Sequence, residues 1–203
     1  METPPSNNLF PIFLKLEEMK LLIIGGGNVA LEKLNAVLQN SPKTNIRLVA
    51  VEINDSIRSL ADSYKNIELV ESPYTPSCLI EINLVIIAVN NIPLSEQIKQ
   101  DAKQHNLLVN VADKPGLCDF YLSSVVKKGN LKLAISTNGK SPTIAKRLKE
   151  TFSELLPDEL DEVLNNMEQI RNKLKGDLSE KVRRLNDLTK IFAEKEFPEQ
   201  KTP

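Results

Sequence analysis

Tryptophan is absent from the 203 residues, histidine occurs once and cysteine only twice. His105, Cys78 and Cys118 cannot supply a set of four Cys or His ligands, so a structural zinc site of that kind is excluded. Two cysteines in separate segments are no disulfide framework either, and a reducing cytoplasm is the expected setting. An excess of charge is also missing: 26 Lys plus Arg stand against 27 Asp plus Glu, a net charge of −1. A chain organised around a nucleic-acid backbone needs a basic surplus, so nucleic acid is not an expected partner. No apolar run approaches the roughly 20 residues that cross a bilayer, which removes the membrane from the expected partners. The opening METPPSNNLF carries no basic start and no long apolar stretch, so no signal peptide is expected. What is present is 41% hydrophobic and 26% charged residues, enough to bury a core in one generous domain or two small ones.

Short apolar runs alternate with amphipathic stretches through the first three-fifths. The strand candidates are Lys20–Ile24, Ile46–Val51, Ile67–Val70, Leu84–Val89 and Leu107–Val111. Helix-like stretches at Asn28–Leu38, Asp55–Ser63 and Leu94–His105 separate them. Strands apolar at nearly every position, joined by helices, predict a parallel sheet covered on both faces. Right-handed crossovers then give a Rossmann-like α/β domain with strand order near 3-2-1-4-5. After Asp113 the pattern changes to two strand-like pieces, Phe120–Lys127 and Leu131–Ser136, around a turn signal at Lys128–Asn130. From Pro142 the chain reads as helix, with Ser141 as N-cap and Pro142 in the first helical position. Apolar residues from Leu155 to Leu174 recur at helical spacing, Gly176 ends that helix, and Leu178, Val182, Leu185, Leu188 and Ile191 mark another. The polar tail after Phe197 is expected to fray. The expected layout is therefore a nucleotide domain over 1–114, a small β unit over 115–141 and a helical domain over 142–203.

Gly25-Gly26-Gly27-Asn28-Val29-Ala30 matches G-x-G-x-x-A between a strand and a helix. Gly25 permits the tight turn, Gly27 lets a pyrophosphate approach the backbone, and Ala30 lets the helix pack close to the sheet. The helix N-terminus offers free amides to the phosphates. Glu52, past the second strand, is placed to accept from ribose hydroxyls and repel a 2′-phosphate, which favours NAD over NADP. Arg47 lies nearby but points along the strand. The expected cofactor residues are thus Gly25, Gly27, Asn28, Val29, Ala30, Glu52 and Ile53. The plain alternative is a glycine turn that only packs.

PIFLKLEEMKLLIIGGGNVALEKLNAVL, and later NVADKPGLCDFYLSSVVKKGNLKLAISTNGKSPTIAKRLKE, resemble the precorrin-2 dehydrogenase and sirohydrochlorin ferrochelatase family of siroheme synthesis. The likeness runs over about residues 9 to 160, with the family's parts in the family's order. It implies an oxidoreductase that converts precorrin-2 to sirohydrochlorin with NAD, in many members also a lyase that inserts Fe2+ to give siroheme. It implies a small dimerisation unit and a homodimer interlocked after the N-V-x-D segment. It also implies Asp113 as the catalytic carboxylate, and a substrate site drawn from Asn110, Lys114, Thr137, Asn138, Gly139, Lys140 and Ser141. Asn138 stands where many relatives have glycine, and Thr137 where some have serine.

On its residues alone, Asp113 reads as a general base at the carboxyl edge of the sheet or as a turn cap. Lys114, Lys140, Lys146 and Arg147 would suit a polycarboxylate substrate, although singly each reads as a solvated charge. His105 reads as a cation at a helix C-terminus, Cys118 as a small buried hydrophobe, and Lys127-Lys128 as a solvated turn. Two rival classes remain open. One is an NAD-sensing regulatory module without tetrapyrrole chemistry. The other is a small-substrate oxidoreductase, for which no Tyr-Lys pair or placed histidine is evident.

Overall fold

The computed structural model describes residues 7–174 and 178–189. Five strands, β1 (Lys20–Ile24), β2 (Asn45–Ala50), β3 (Ile67–Glu71), β4 (Leu84–Ile87) and β5 (Leu108–Val111), form an all-parallel sheet ordered β3-β2-β1-β4-β5. This is the topology the apolar runs predict. Side chains alternate across a strand, and here both sets are buried. Leu21 and Ile23 of β1 join Ile46, Leu48, Leu84 and Ile86 on one face, while Leu22 and Ile24 join Val49, Val85, Ile87 and Val109 on the other. Helices α1 (Asn28–Asn40) and α2 (Asp55–Ala61) cover the first face with Ala30, Leu34, Val37, Leu38 and Ile57. Helix α3 (Ile92–Gln104) covers the second with Ile98 and Ala102. Each Leu, Ile or Val among them contributes about 1.5–3 kcal/mol when taken from water, so the sheet is a rigid platform for whatever its loops carry.

Helix α3 starts two residues before the expected Leu94, because Asn91 Oδ1 accepts from Leu94 N at 3.0 Å and caps the helix. His105 is its C-cap residue, as the sequence suggests. Strands β6 (Ser124–Lys128) and β7 (Leu131–Ile135) pair through the Gly129-Asn130 turn. The first is shorter than expected: residues 120–123 are not strand. Helices α4 (Pro142–Leu155), α5 (Leu160–Lys173) and α6 (Leu178–Thr189) follow. Gly176, Ile191 and the tail after Phe197 lie outside the described residues.

Compactness divides the chain differently from the three-part layout. One unit comprises Met1–Val125 with Ala134–Leu148, the other Val126–Leu133 with Lys149–Pro203. Asp113 and the Thr137–Ser141 loop therefore share the first unit. In the second, Asp161 Oδ1 accepts from Asn130 N at 2.6 Å and Asn130 Nδ2 at 2.9 Å, against Gly129 at φ +54°. A side chain on Gly129 would overlap Asp161. Lys128 is not a solvated turn residue: it closes β6, and its ammonium pairs with Asp158. That bond holds the Asp158 carboxyl below the usual range.

Candidate functional site

In a parallel sheet the loops at the carboxyl ends of the strands gather on one edge, where ligands bind. The loop after β1 holds the three glycines. Gly25 sits at φ +128°, and a side chain there would overlap the Ala88 carbonyl. Gly26 is more tightly constrained, since a Cβ would overlap the Glu52 carbonyl oxygen and come within 2.9 Å of Ala50 Cβ. A Cβ on Gly27 would meet nothing within 4 Å. Gly27 thus faces open space at the N-terminus of α1, as a pyrophosphate-binding residue must. Gly26, an unspecified position in the sequence motif, fastens the turn to the β2 loop, and its carbonyl accepts from Asn54 N at 3.0 Å. The signal available for it was the run of three consecutive glycines.

Asn28, Val29 and Glu52 are exposed, and the Glu52 carboxylate has no hydrogen-bond or ion-pair partner among the described residues. Asn54 caps α2 through Ile57 N at 2.8 Å and donates to Asn28 Oδ1 at 3.4 Å, joining the two loops. The side chains of Ala30 and Ile53, both expected among the cofactor residues, are buried in the core cluster. Ala30 performs the close packing the motif requires, and Ile53 is a core residue. Arg47 is held mid-strand by Glu68 at 2.7 Å, and Arg58 on α2 pairs with Glu71. Neither guanidinium is left unpaired for a 2′-phosphate.

Strand β5 ends the sheet, so the N–H and C=O groups of Val109 and Val111 on its outer side need partners. Residues 118–120 supply them without forming a strand. Asp119 N donates to Val109 O at 2.7 Å, and Asp119 Oδ2 accepts from Val109 N at 2.9 Å while pairing with Lys99. Cys118 Sγ accepts from Val111 N and donates to Val111 O, each at 3.2 Å. Asn110 Nδ2 donates to Phe120 O at 2.8 Å. Recruitment of these residues to the β5 edge is why β6 begins only at Ser124. Asn110, expected at the substrate, is 6% exposed, and its amide makes this internal bond. Burial pushes the Cys118 thiol up, and it stays protonated at neutral pH.

Asp113 follows the end of β5 at φ +58°, exposed, with no partner for its carboxylate among the described residues. Lys114 is the N-terminal residue of the following Pro115–Leu117 turn of 3-10 helix, and no side chain caps that turn. The capping role for Asp113 thus has no hydrogen bond to support it.

The loop before α4 is built around a turn in which Lys140 N donates to Thr137 O at 3.1 Å. Its central residues Asn138 and Gly139 lie at φ +55° and +74°, the pairing that two left-handed positions in succession require. Asparagine tolerates that region better than other residues with a side chain, so Asn138 suits this position. Thr137 Oγ1 accepts from Ser141 N at 3.2 Å, and Ser141 Oγ accepts from Ile144 N at 3.2 Å, the expected N-cap. Asn138→Gly is expected to leave thermal stability close to unchanged, whereas Asn138→Ala should cost about 1–2 kcal/mol in a denaturation experiment. Lys114, Lys140 and Lys146 are exposed.

Among the described residues no group of three His, Cys, Asp or Glu side chains could hold a metal ion. A cavity of about 360 Å³ opens at the opposite, amino ends of the strands, lined by Lys20, Arg47, Lys65 and Asn66 among others, and neither the glycine turn nor Asp113 lines it.

Residues 12–124 match the family described as putative NAD(P)-binding, and residues 128–154 match the sirohaem biosynthesis protein central family. The chain belongs to the putative NAD(P)-binding family. A siroheme synthase of Psychrobacter arcticus is 35% identical over 175 residues, covering 86% of this chain and 31% of that protein. One from Zymomonas mobilis subsp. mobilis is 33% identical over 187 residues, covering 92% of this chain and 38% of the relative. This family member therefore spans about a third of the length of the curated relatives it matches. A solved structure titled SirC, precorrin-2 dehydrogenase, superposes with a TM-score of 0.69 at 22% identity, over 89% of each chain, and shares its fold.

Proposed function

We propose that this chain oxidises precorrin-2 to sirohydrochlorin with NAD, with Asp113 as the general base, and that it also inserts Fe2+ into sirohydrochlorin. The observation that carries this reading is the unpartnered, exposed Asp113 carboxylate on the same strand-end edge as the glycine turn. The residues present fit a dinucleotide. Gly27 leaves the space a pyrophosphate needs, the first amides of α1 are free to bind it, and Glu52 is unpaired for the ribose hydroxyls. When bound, NAD supplies the hydride-accepting carbon. Precorrin-2 gives up a hydride and a proton, and Asp113 takes the proton. In the second reaction the same carboxylate takes the pyrrole protons one at a time and passes each to solvent as the iron substrate enters. Gly139, Ser141 and the exposed Lys114 and Lys140 provide donors and positive charge for the substrate's carboxylates, and Thr137 holds their loop by donating to Ser141 O at 3.1 Å.

Glu52 and the paired state of Arg47 and Arg58 support NAD over NADP. Glu52→Ala is expected to narrow the preference measured as the ratio of kcat/KM for the two cofactors, and an unchanged ratio would remove the assignment. A homodimer is supported by α4, which exposes Ile144, Leu148, Phe152 and Leu155 along one stripe, and by α5, none of whose residues is buried. The reading places the protein in the cytoplasm, in keeping with its two free cysteines. No helix among the described residues is long and apolar enough to cross a membrane.

Titration with sirohydrochlorin, followed by its visible spectrum, tests the substrate class directly. Saturable binding that weakens when Lys114 and Lys140 are both changed to alanine is expected, and an unperturbed spectrum would contradict the tetrapyrrole assignment. Addition of Fe2+ to the bound pigment should give siroheme faster than a protein-free blank.

A further inference from the structure

We propose that Cys118 is the positioning residue for Asp113, its thiol fastening both ends of the turn that carries the carboxylate. The proposal rests on the catalytic reading of Asp113 given above. The turn runs from Val111 to Lys114, with Lys114 N donating to Val111 O at 3.3 Å. Asp113 occupies its left-handed position at φ +58°, which glycine adopts freely and which aspartate and asparagine tolerate better than other residues with a side chain. Its neighbours decide whether the turn stays in that conformation.

The surroundings here converge on one sulfur atom. Cys118 Sγ accepts from Val111 N at 3.2 Å, lies 3.2 Å from Val111 O and 3.4 Å from Lys114 O as donor, and receives Asn110 Nδ2 at 3.6 Å. Val111 precedes the turn's central residues and Lys114 follows them, so both anchors of Asp113 meet at the same thiol. A protonated thiol suits this arrangement, because it accepts the Val111 amide while its hydrogen is shared between the two carbonyls. Burial, which keeps the thiol protonated, preserves that donor. Asp119, next in sequence, locks the segment to Val109 and to Lys99, so the sulfur is itself held from below. A displacement of the carboxylate of about an ångström is enough to cost up to 10²-fold in rate.

Four proteins decide the matter: wild type, Cys118→Ala, Cys118→Val, which fills the space without hydrogen bonding, and Cys118→Ser, which retains a donor and an acceptor. Two readouts are taken on each. The first is kcat and the KM for NAD in precorrin-2 oxidation. The second is the backbone chemical shift of Asp113 by NMR, which reports the left-handed conformation without any turnover. The expected result is a fall in kcat of about 10- to 100-fold in the Ala and Val variants, with the KM for NAD within about twofold. The Asp113 shift should leave the left-handed range in both, and Ser should restore most of each property. Either hydrogen-bond-free variant is sufficient if the other does not fold. Wild-type kcat in the Ala or Val variant, or an unmoved Asp113 shift, overturns the proposal. A wild-type protein inactive towards precorrin-2 overturns the proposed function instead, and the NMR arm still decides whether Cys118 holds the turn.

Discussion

Asp113→Asn is expected to reduce precorrin-2 oxidation by about 10²–10⁴-fold, the usual contribution of a positioned general base, while the protein stays folded and still binds NAD. Asparagine is the informative replacement because it enters the left-handed region at least as readily as aspartate. It therefore removes the proton acceptor and leaves the turn at φ +58° in place. Asp113→Ala removes the acceptor and in addition places a methyl side chain in that conformation, at about 1–2 kcal/mol of stability. The two variants should thus be alike in rate and different in thermal midpoint. If Asp113→Asn kept wild-type kcat, the carboxylate would be no base at all. If both variants lost activity only in proportion to lost folding, Asp113 would be a turn residue and nothing more.

The second large effect separates two adjacent glycines. Gly26→Ala must push a methyl group into the Glu52 carbonyl oxygen, a backbone atom that cannot swing away. The loops after β1 and β2 have to part. A loss of about 1–3 kcal/mol or more is expected, together with loss of NAD binding. Gly27→Ala meets no protein atom within 4 Å, and its φ of −94° suits any residue. Its stability should match wild type, yet the methyl occupies the space a pyrophosphate needs, so NAD affinity should fall as far as in Gly26→Ala. Thermal denaturation and calorimetric titration of NAD measure both quantities. Equal stability in the two variants would contradict the contact assigned to Gly26. Undiminished NAD binding by Gly27→Ala would contradict the placement of the phosphates.

The parallel sheet was legible because its strands are buried on both faces, which leaves runs such as Leu21–Ile24 and Leu84–Ile87 apolar at every position. Ser141-Pro142 was legible for an equally local reason, since capping and proline preference act within a single turn. Gly26 was not, because its constraint comes from a carbonyl on a different loop that only the fold brings near. The β5 edge was hidden in the same way. Cys118 and Asp119 satisfy backbone groups of Val109 and Val111 with side-chain atoms, an arrangement that leaves no periodic trace. The same recruitment shortened β6 and gave the Asn110 amide an internal bond to Phe120 O. Asn138 gave a partial signal: it replaces glycine in the resemblance, and its φ of +55° explains why asparagine can do so. Ile53 reads as a neighbour of Glu52 in sequence, but the loop after β2 turns its side chain into the core.

The measurement that tests the central claim most directly is an anaerobic assay with precorrin-2 and NAD, following NADH and the tetrapyrrole spectrum together. NADH should appear in step with the sirohydrochlorin spectrum, and both should vanish with Asp113→Asn. No oxidation by a protein that still binds NAD would contradict the account, and would favour a nucleotide-sensing module built on the same fold.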